Sequence, residues 1–285
     1  MKNFNHILFP VDLSARSEAT RRVVTFWARH FNAKVTLLHT VQIPITSYGG
    51  ADGYPVIVDI PAIEATAKAR LERVEIDVPD VTRVVSVGDP AFEIIQYAGK
   101  NGVDLIMMPT HGYGTFRSLL LGSTAAKVLH DAHCPVWTSP HKEEIPVEAH
   151  TEIHNVLCAM ELGAESVALI QSASELALAW KAKLRLVHAV PVDETRPEKY
   201  LEGDFSAALI KRSKEEVAKL QQDAGTDLEA IVEGGRASLV VRDAASKFGA
   251  DLVVTGRGKL HETFGRLRTN TYAIIRDSPC PVLSV

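Results

Sequence analysis

The sequence predicts an α/β protein of two tandem units, each an open, mostly parallel five-stranded sheet flanked by helices. Three observations predict it. The second half of the chain can be laid on the first, short β-rich apolar runs alternate with longer helical patterns inside each half, and the length of 285 residues is twice the ~150 of one domain. The alternation implies parallel strands joined by right-handed crossovers, and in such open sheets ligands sit beyond the carboxyl ends of the strands.

The repeat is specific. "HILFPVDLSARS" from His6 matches "NVLCAMELGAES" from Asn155 at an offset of 149, which also carries "AKVTLLHTV", Ala33–Val41, onto "AKLRLVHAV", Ala182–Val190. "VDLIMMPTHG" from Val103 faces "ADLVVTGRG" from Ala250 at 147, and "HCPVWTS" from His133 faces "PCPVLSV" from Pro279 at 146. A register that drifts by three residues means a duplicated unit rather than a short-period solenoid. The polar stretch "SPHKEEIPVEAHTE", with two prolines and no counterpart in either unit, marks the boundary. The expected domains are 1–140 and 152–285, with 141–151 as linker.

In the first unit the apolar runs place strands at 6–11, 35–41, 81–87, 104–108 and 135–139, with helices at 16–31, 61–76, 90–100 and 123–132 between them. The first helix shows the basis: Ala19, Val23, Phe26, Trp27 and His30 recur at spacings of three and four and form one stripe. The fourth strand ends at Met107-Met108, which puts Thr110, His111 and Gly112 in a turn at the ligand-binding edge. Gly112 permits positive φ and close approach of a ligand to the backbone. Gly122 lets the chain turn tightly, and Ser123 or Thr124 can cap the helix "TAAKVLHDA", whose free N–H groups and dipole favour a phosphate.

Composition narrows the function classes. A hydrophobic share of 46% supports sizeable cores, and 31 Lys and Arg against 35 Asp and Glu, a net charge of -4 without a basic cluster, argue against nucleic acid as a partner. The start "MKNFNHILFPVDLS" has too short an apolar run for a secretory signal, and no run reaches the ~18 apolar residues of a membrane span. Cys134 and Cys280 each sit in Cys-Pro-Val and Cys158 in an apolar run, so buried thiols explain them better than disulfides or zinc. A cytoplasmic location and no membrane partner are expected.

"DLIMMPTHG", nine residues, then "GST", followed by "CPV" and preceded by "ILFPVDLS", resembles the universal stress protein family. Four separated blocks occur in the family's order, and the resemblance spans nearly the whole chain, twice. It implies two Rossmann-like domains of the adenine nucleotide α-hydrolase-like kind and a regulatory role in stress tolerance. In nucleotide-binding members, Gly, two residues, Gly, nine residues, Gly and then Ser or Thr hold the ribose and phosphates of ATP. An acid ending the first strand and a position after the second hold the adenine end. Carried over, this implies Asp12 and Val41 at the nucleoside and Gly112, Gly122, Ser123 and Thr124 at the phosphates of ATP or AMP with Mg2+; Pro109 stands at the motif's first Gly. Proline lacks an N–H, so any contact through that amide is lost. His111 is expected to bind rather than to catalyse.

The second unit departs further: Glu161 replaces Asp12, "TGRG" is one residue shorter than "MPTHG", and Arg268 stands at Gly122, with Thr269 preserving the hydroxyl. One working site, in the first unit, is therefore expected, with nucleotide ordering the loop from Gly112 to Gly122. The two units are expected to pair as an intramolecular pseudo-dimer through their final strands around Val136 and Val282, and two chains could associate again.

Other readings of the same residues stay open. Asp12 can serve as a cap for the helix beginning near Ser14. His39 and His188, at equivalent places, suggest a shared packing role. His130, His133 and Cys134 lack a fourth ligand, and "HETFG" at His261 lacks the second His of a metalloprotease helix. There is no Gly-x-Ser-x-Gly elbow, no full Walker A loop and no acid pair at general acid-base spacing. An enzyme is therefore not what the residues advertise, at most a weak ATPase depending on His111 or Asp12. A scaffold that binds no nucleotide is the other alternative. The loop Ile43 to Asp59, rich in Gly and Pro, is a candidate lid.

Overall fold

The computed structural model describes residues 4–43, 59–111, 121–140, 151–163, 165–191, 203–257 and 266–285. They form two compact units, one within Phe4–Val136 and the other within Trp137–Val285.

The first sequence repeat runs β1 (His6–Pro10), α1 (Ala15–Phe31), β2 (Lys34–Val41), α2 (Ile60–Glu72), β3 (Val81–Val87), α3 (Pro90–Lys100), β4 (Leu105–Met108), α4 (Ser123–Asp131) and β5 (Val136–Thr138). The second runs β6 (Asn155–Ala159), α5 (Glu165–Trp180), β7 (Lys183–Val190), α6 (Gly203–Ala224), β8 (Ala230–Gly234), α7 (Ala237–Phe248), β9 (Leu252–Thr255), α8 (Arg266–Asp277) and β10 (Val282–Ser284). Strand orders are β3-β2-β1-β4-β5 and β8-β7-β6-β9-β10. The pairs β1–β2, β1–β4 and β2–β3 are parallel, as are β6–β7, β6–β9, β7–β8 and β9–β10. Every residue of β1 and β4 is buried, which is why these strands read as unbroken apolar runs.

Each helix boundary has a local cause. Ser14 caps α1 by accepting from Ser17 N at 3.2 Å, and Asn32 ends it in the left-handed region at φ 51. Among the described residues the buried face of α1 is Ser17, Thr20, Val23, Val24, Trp27, Ala28 and Phe31. This corrects the expected stripe: His30 is exposed, its ring set edge-on to Phe31, and Ala19 and Phe26 are only half-buried. Trp27 is fully buried between Phe4 and Phe31, with ring centroids 6.0 and 5.9 Å away. α2 stops at Glu72, four residues short of the expected 76. Arg73 N and Val74 N turn back to Arg70 O and Leu71 O, and the chain then extends towards β3 through Pro79. Asp89 caps α3 through Phe92 N at 3.0 Å, and that bond, then Lys127, holds its carboxyl below the usual range.

Three devices recur in both units. Asp104 accepts from Asn5 N at 2.9 Å and His6 N at 3.1 Å, and Asp251 accepts from His154 N at 2.8 Å and Asn155 N at 2.9 Å. His39 Nδ1 donates to Val11 O at 2.8 Å and His188 Nδ1 to Met160 O at 3.0 Å, the shared packing role expected of that pair. Gly88 N meets Val41 O and Gly235 N meets Val190 O, both at 3.0 Å, with φ of +154 and +142 that disfavour other residues.

All three cysteines are buried and none is in a disulfide, and burial pushes the Cys158 and Cys280 thiols up to about 12. Among the described residues no helix is long and apolar enough to cross a membrane.

His6 makes stability depend on pH. Its ring is buried, with Nε2 2.9 Å from Thr36 Oγ1 and Nδ1 3.1 Å from Asn101 O. Burial, then the Lys34 charge, hold the imidazole below its ordinary value, outweighing Asn101 O and Asp104. The unfolded chain therefore takes up this proton more readily than the folded one. The stabilisation from neutral His6 is complete above the unfolded value of ~6.5 and is lost as pH falls through the folded value. The urea midpoint should hold above about pH 6.5, fall as pH drops below that value, and fall less in His6→Gln. Equal slopes in the two proteins would remove His6 as the cause.

Candidate functional site

Strand order reverses between β1 and β4, and a crevice opens at such a switch point beyond the carboxyl ends of the strands. Asp12 follows β1 there, and Pro109, Thr110 and His111 follow β4. Gly122, Ser123 and Thr124 begin α4, and Val41 closes β2.

Asp12 is held by one oxygen only. Its Oδ1 accepts from Ser14 N at 3.0 Å and Ser17 Oγ at 2.5 Å, while its own N–H donates to Ser17 Oγ at 3.3 Å. Oδ2 is buried and has no hydrogen-bond partner among the described residues. Because Ser14 is the cap of α1, the cap reading of Asp12 does not hold. Between them Leu13 sits at φ 60, a conformation that costs a residue with a Cβ about 1–3 kcal/mol and is retained where surrounding contacts impose it. A buried acceptor left unmade costs another ~1–3 kcal/mol, which a donor on a ligand would recover.

On the neighbouring strand, Gly122 N donates to Thr110 O at 2.9 Å, which joins the turn after β4 to the start of α4. Gly122 has an ordinary φ of -58. Its role is therefore space rather than the tight turn expected: a Cβ there would lie 3.0 Å from Thr110 O and 3.6 Å from His111 Cα. Ser123 and Thr124 do not cap the helix, which is a second correction. Gly122 is the N-cap and supplies no side-chain cap bond, and the two hydroxyl residues are the first inside α4. The first N–H groups of an α-helix have no partners within it, so with the dipole this end suits an anion. Ser123 is exposed and Thr124 half-buried.

Thr110 and His111 are buried, with Thr110 Oγ1 3.1 Å from His111 Nδ1; Pro109 is buried beside them. Val41 is half-buried, and its carbonyl already accepts from Gly88 N. Gly112, most of the loop to Gly122 and most of the candidate lid lie outside the described residues. The sequence reading missed Ser17, whose hydroxyl fixes Asp12. A Ser recurs five residues after the acid in both units, at Ser17 and Ser166, and that was the available signal.

The second unit builds its edge differently. Glu161 is exposed, and Ser166 Oγ donates to its backbone carbonyl rather than to a carboxylate. α8 starts at Arg266, so Arg268 lies inside the first turn and the helix begins three residues earlier than α4 does. At 1.5 Å per residue the helix end moves by about 4.5 Å. Thr271 Oγ1 donates to Gly256 O at 3.2 Å.

The model of the universal stress protein family matches residues 3–140 and again 152–285. Universal stress protein A homolog 1 of Coxiella burnetii is 31% identical over 144 residues, 50% of this chain and 99% of its own length. A Thermus aquaticus universal stress protein is 32% identical over 142 residues, 47% of this chain and 96% of its own. The crystal structure of a universal stress protein from Archaeoglobus fulgidus covers 99% of this chain and 96% of its own, with a TM-score of 0.63 at 21% identity, a likeness of fold.

Proposed function

The chain belongs to the universal stress protein family, and from that premise we propose that its first unit binds one adenine nucleotide, ATP or AMP, in a regulatory role. Asp12 Oδ2 accepts a donor of the nucleoside, with Val41 beside it. The start of α4 takes the phosphates through its N–H groups and the hydroxyls of Ser123 and Thr124. Gly122 keeps the backbone low enough for that approach, and His111 holds the turn with Thr110. Mg2+, where ATP is the ligand, neutralises phosphate charge. The observation that carries the reading is the buried Asp12 Oδ2 at the switch point, without a hydrogen-bond partner among the described residues, one strand away from a helix whose N-cap glycine supplies no side-chain bond. Together they ask for a ligand with a donor at one end and an anion at the other. The second unit, with its exposed Glu161, serves structure.

The test is isothermal titration of ATP with magnesium into the chain and into Asp12→Asn. Asparagine keeps an oxygen for Ser14 N and Ser17 Oγ but replaces the free carboxylate oxygen by an amide. Binding near one equivalent, weakened about tenfold in the variant, is expected from losing a charge-assisted bond worth ~1.5–3 kcal/mol. No heat, and no nucleotide released on denaturing the purified chain, would favour a scaffold instead.

A further inference from the structure

The matched helix pairs of the two units pack differently. In the second unit α5 and α6 lie directly against one another; among the described residues α1 and α2 make no comparable contact. Between α1 and α2 is a groove of about 460 Å³, within the ~300–1,000 Å³ range of small-molecule clefts. It lies on the α1 flank of the turn that carries Asp12, and Asp12 does not line it.

The groove has an apolar part and a cationic part. Val11, Leu13 and Val74 supply the first, and Arg21, Arg70 and Arg73 the second. Arg21 is committed, pairing with Glu18 and donating to Glu75 O. Arg70 and Arg73 are exposed, and neither side chain has an ion pair or hydrogen bond among the described residues. Against the carboxylates of Glu18 and Glu75, the three guanidiniums leave one net positive charge. A single anionic head with an apolar body matches both features; a polyanion would leave charge uncompensated, and a neutral lipid would leave the guanidiniums unused.

We propose that the groove between α1 and α2 is a second ligand site, for a small amphipathic carboxylate whose apolar body rests on Leu13 and Val74 and whose carboxylate meets Arg70 and Arg73. The proposal stands apart from the nucleotide reading and is tested without nucleotide.

Decanoate, below its micelle concentration, and decanol are titrated into the full chain, with methyl NMR resonances of Leu13 and Val74 recorded alongside heats. One equivalent of decanoate is expected to bind and to shift those methyls. Arg70→Gln with Arg73→Gln should weaken it about tenfold, the loss of a charge-assisted contact, and leave the weaker binding of decanol unchanged. Both replaced residues are exposed, so the melting temperature should not move. Val74→Trp, which fills the groove, should abolish both ligands. Equal decanoate affinity in the chain and the double variant, shifts confined to exposed Ile63, Phe92 or Leu178, or no saturable binding would overturn the proposal.

Discussion

Gly122→Ala is expected to weaken ATP binding about tenfold, and Gly122→Arg more than about a hundredfold, with the fold retained in both. The graded result follows from what each side chain meets. Any Cβ at this position stands 3.0 Å from Thr110 O, a backbone atom that moves only with the turn after β4. Alanine forces the start of α4 away from that turn by a few tenths of an ångström, an overpacking strain costing ~1–3 kcal/mol, and misaims the N–H groups. Arginine adds a long side chain in the space a phosphate would take. Calorimetry gives the affinities and urea unfolding the stability. Alanine losing stability but no affinity would mean that the phosphates are held elsewhere. Arginine binding as well as the parent would sink the α4 site altogether.

Trp27→Ala should destabilise the first unit by ~3–5 kcal/mol, the usual cost of emptying a large aromatic site in a core that relaxes only partly. Trp27 is fully buried and is touched by Phe4, from before β1, and by Phe31, from the last turn of α1, while Phe4 and Phe31 meet each other edge-on at 5.2 Å. The cluster therefore fastens α1 to the start of β1. Trp27→Phe keeps most of the volume and should cost well under half as much. The check is urea unfolding followed by a probe in each unit, since a chain of two units need not unfold in one step. Equal losses in the two variants would show that ring size is not what the cluster uses. A loss below ~1 kcal/mol in Trp27→Ala would show that the site collapses.

Much of this fold was legible because its central strands are covered on both faces. "ILF" in β1 and "LIMM" in β4 have no polar face to confuse the reading, and the observed strand ends fall within a residue of those expected. The errors are where a tertiary contact overrides local pattern. His30 has helical spacing, yet the helix turns Thr20 and Val24 inward and leaves His30 outside. Val74 and Ile76 prolong the apolar rhythm past the true end of α2, where the chain is already extended towards β3. At the site, Asp12 and Gly122 were visible as residue types, whereas their reasons were not. The hydroxyl of Ser17 under Asp12 and the carbonyl of Thr110 under Gly122 are contacts no spacing rule encodes.

Among the described residues the aspartate clamps, the histidine bridges and the glycine closures are found twice, but the grip on an acid's carboxylate and the Gly122–Thr110 approach once. A duplicated chain built this way separates two burdens that a lone unit must carry together. In the proposed reading one copy answers to a ligand and to its own packing and the other to packing, so its strand tips can drift without endangering the sheet beneath them. Such drift is the raw material from which a sister surface with a different task can arise.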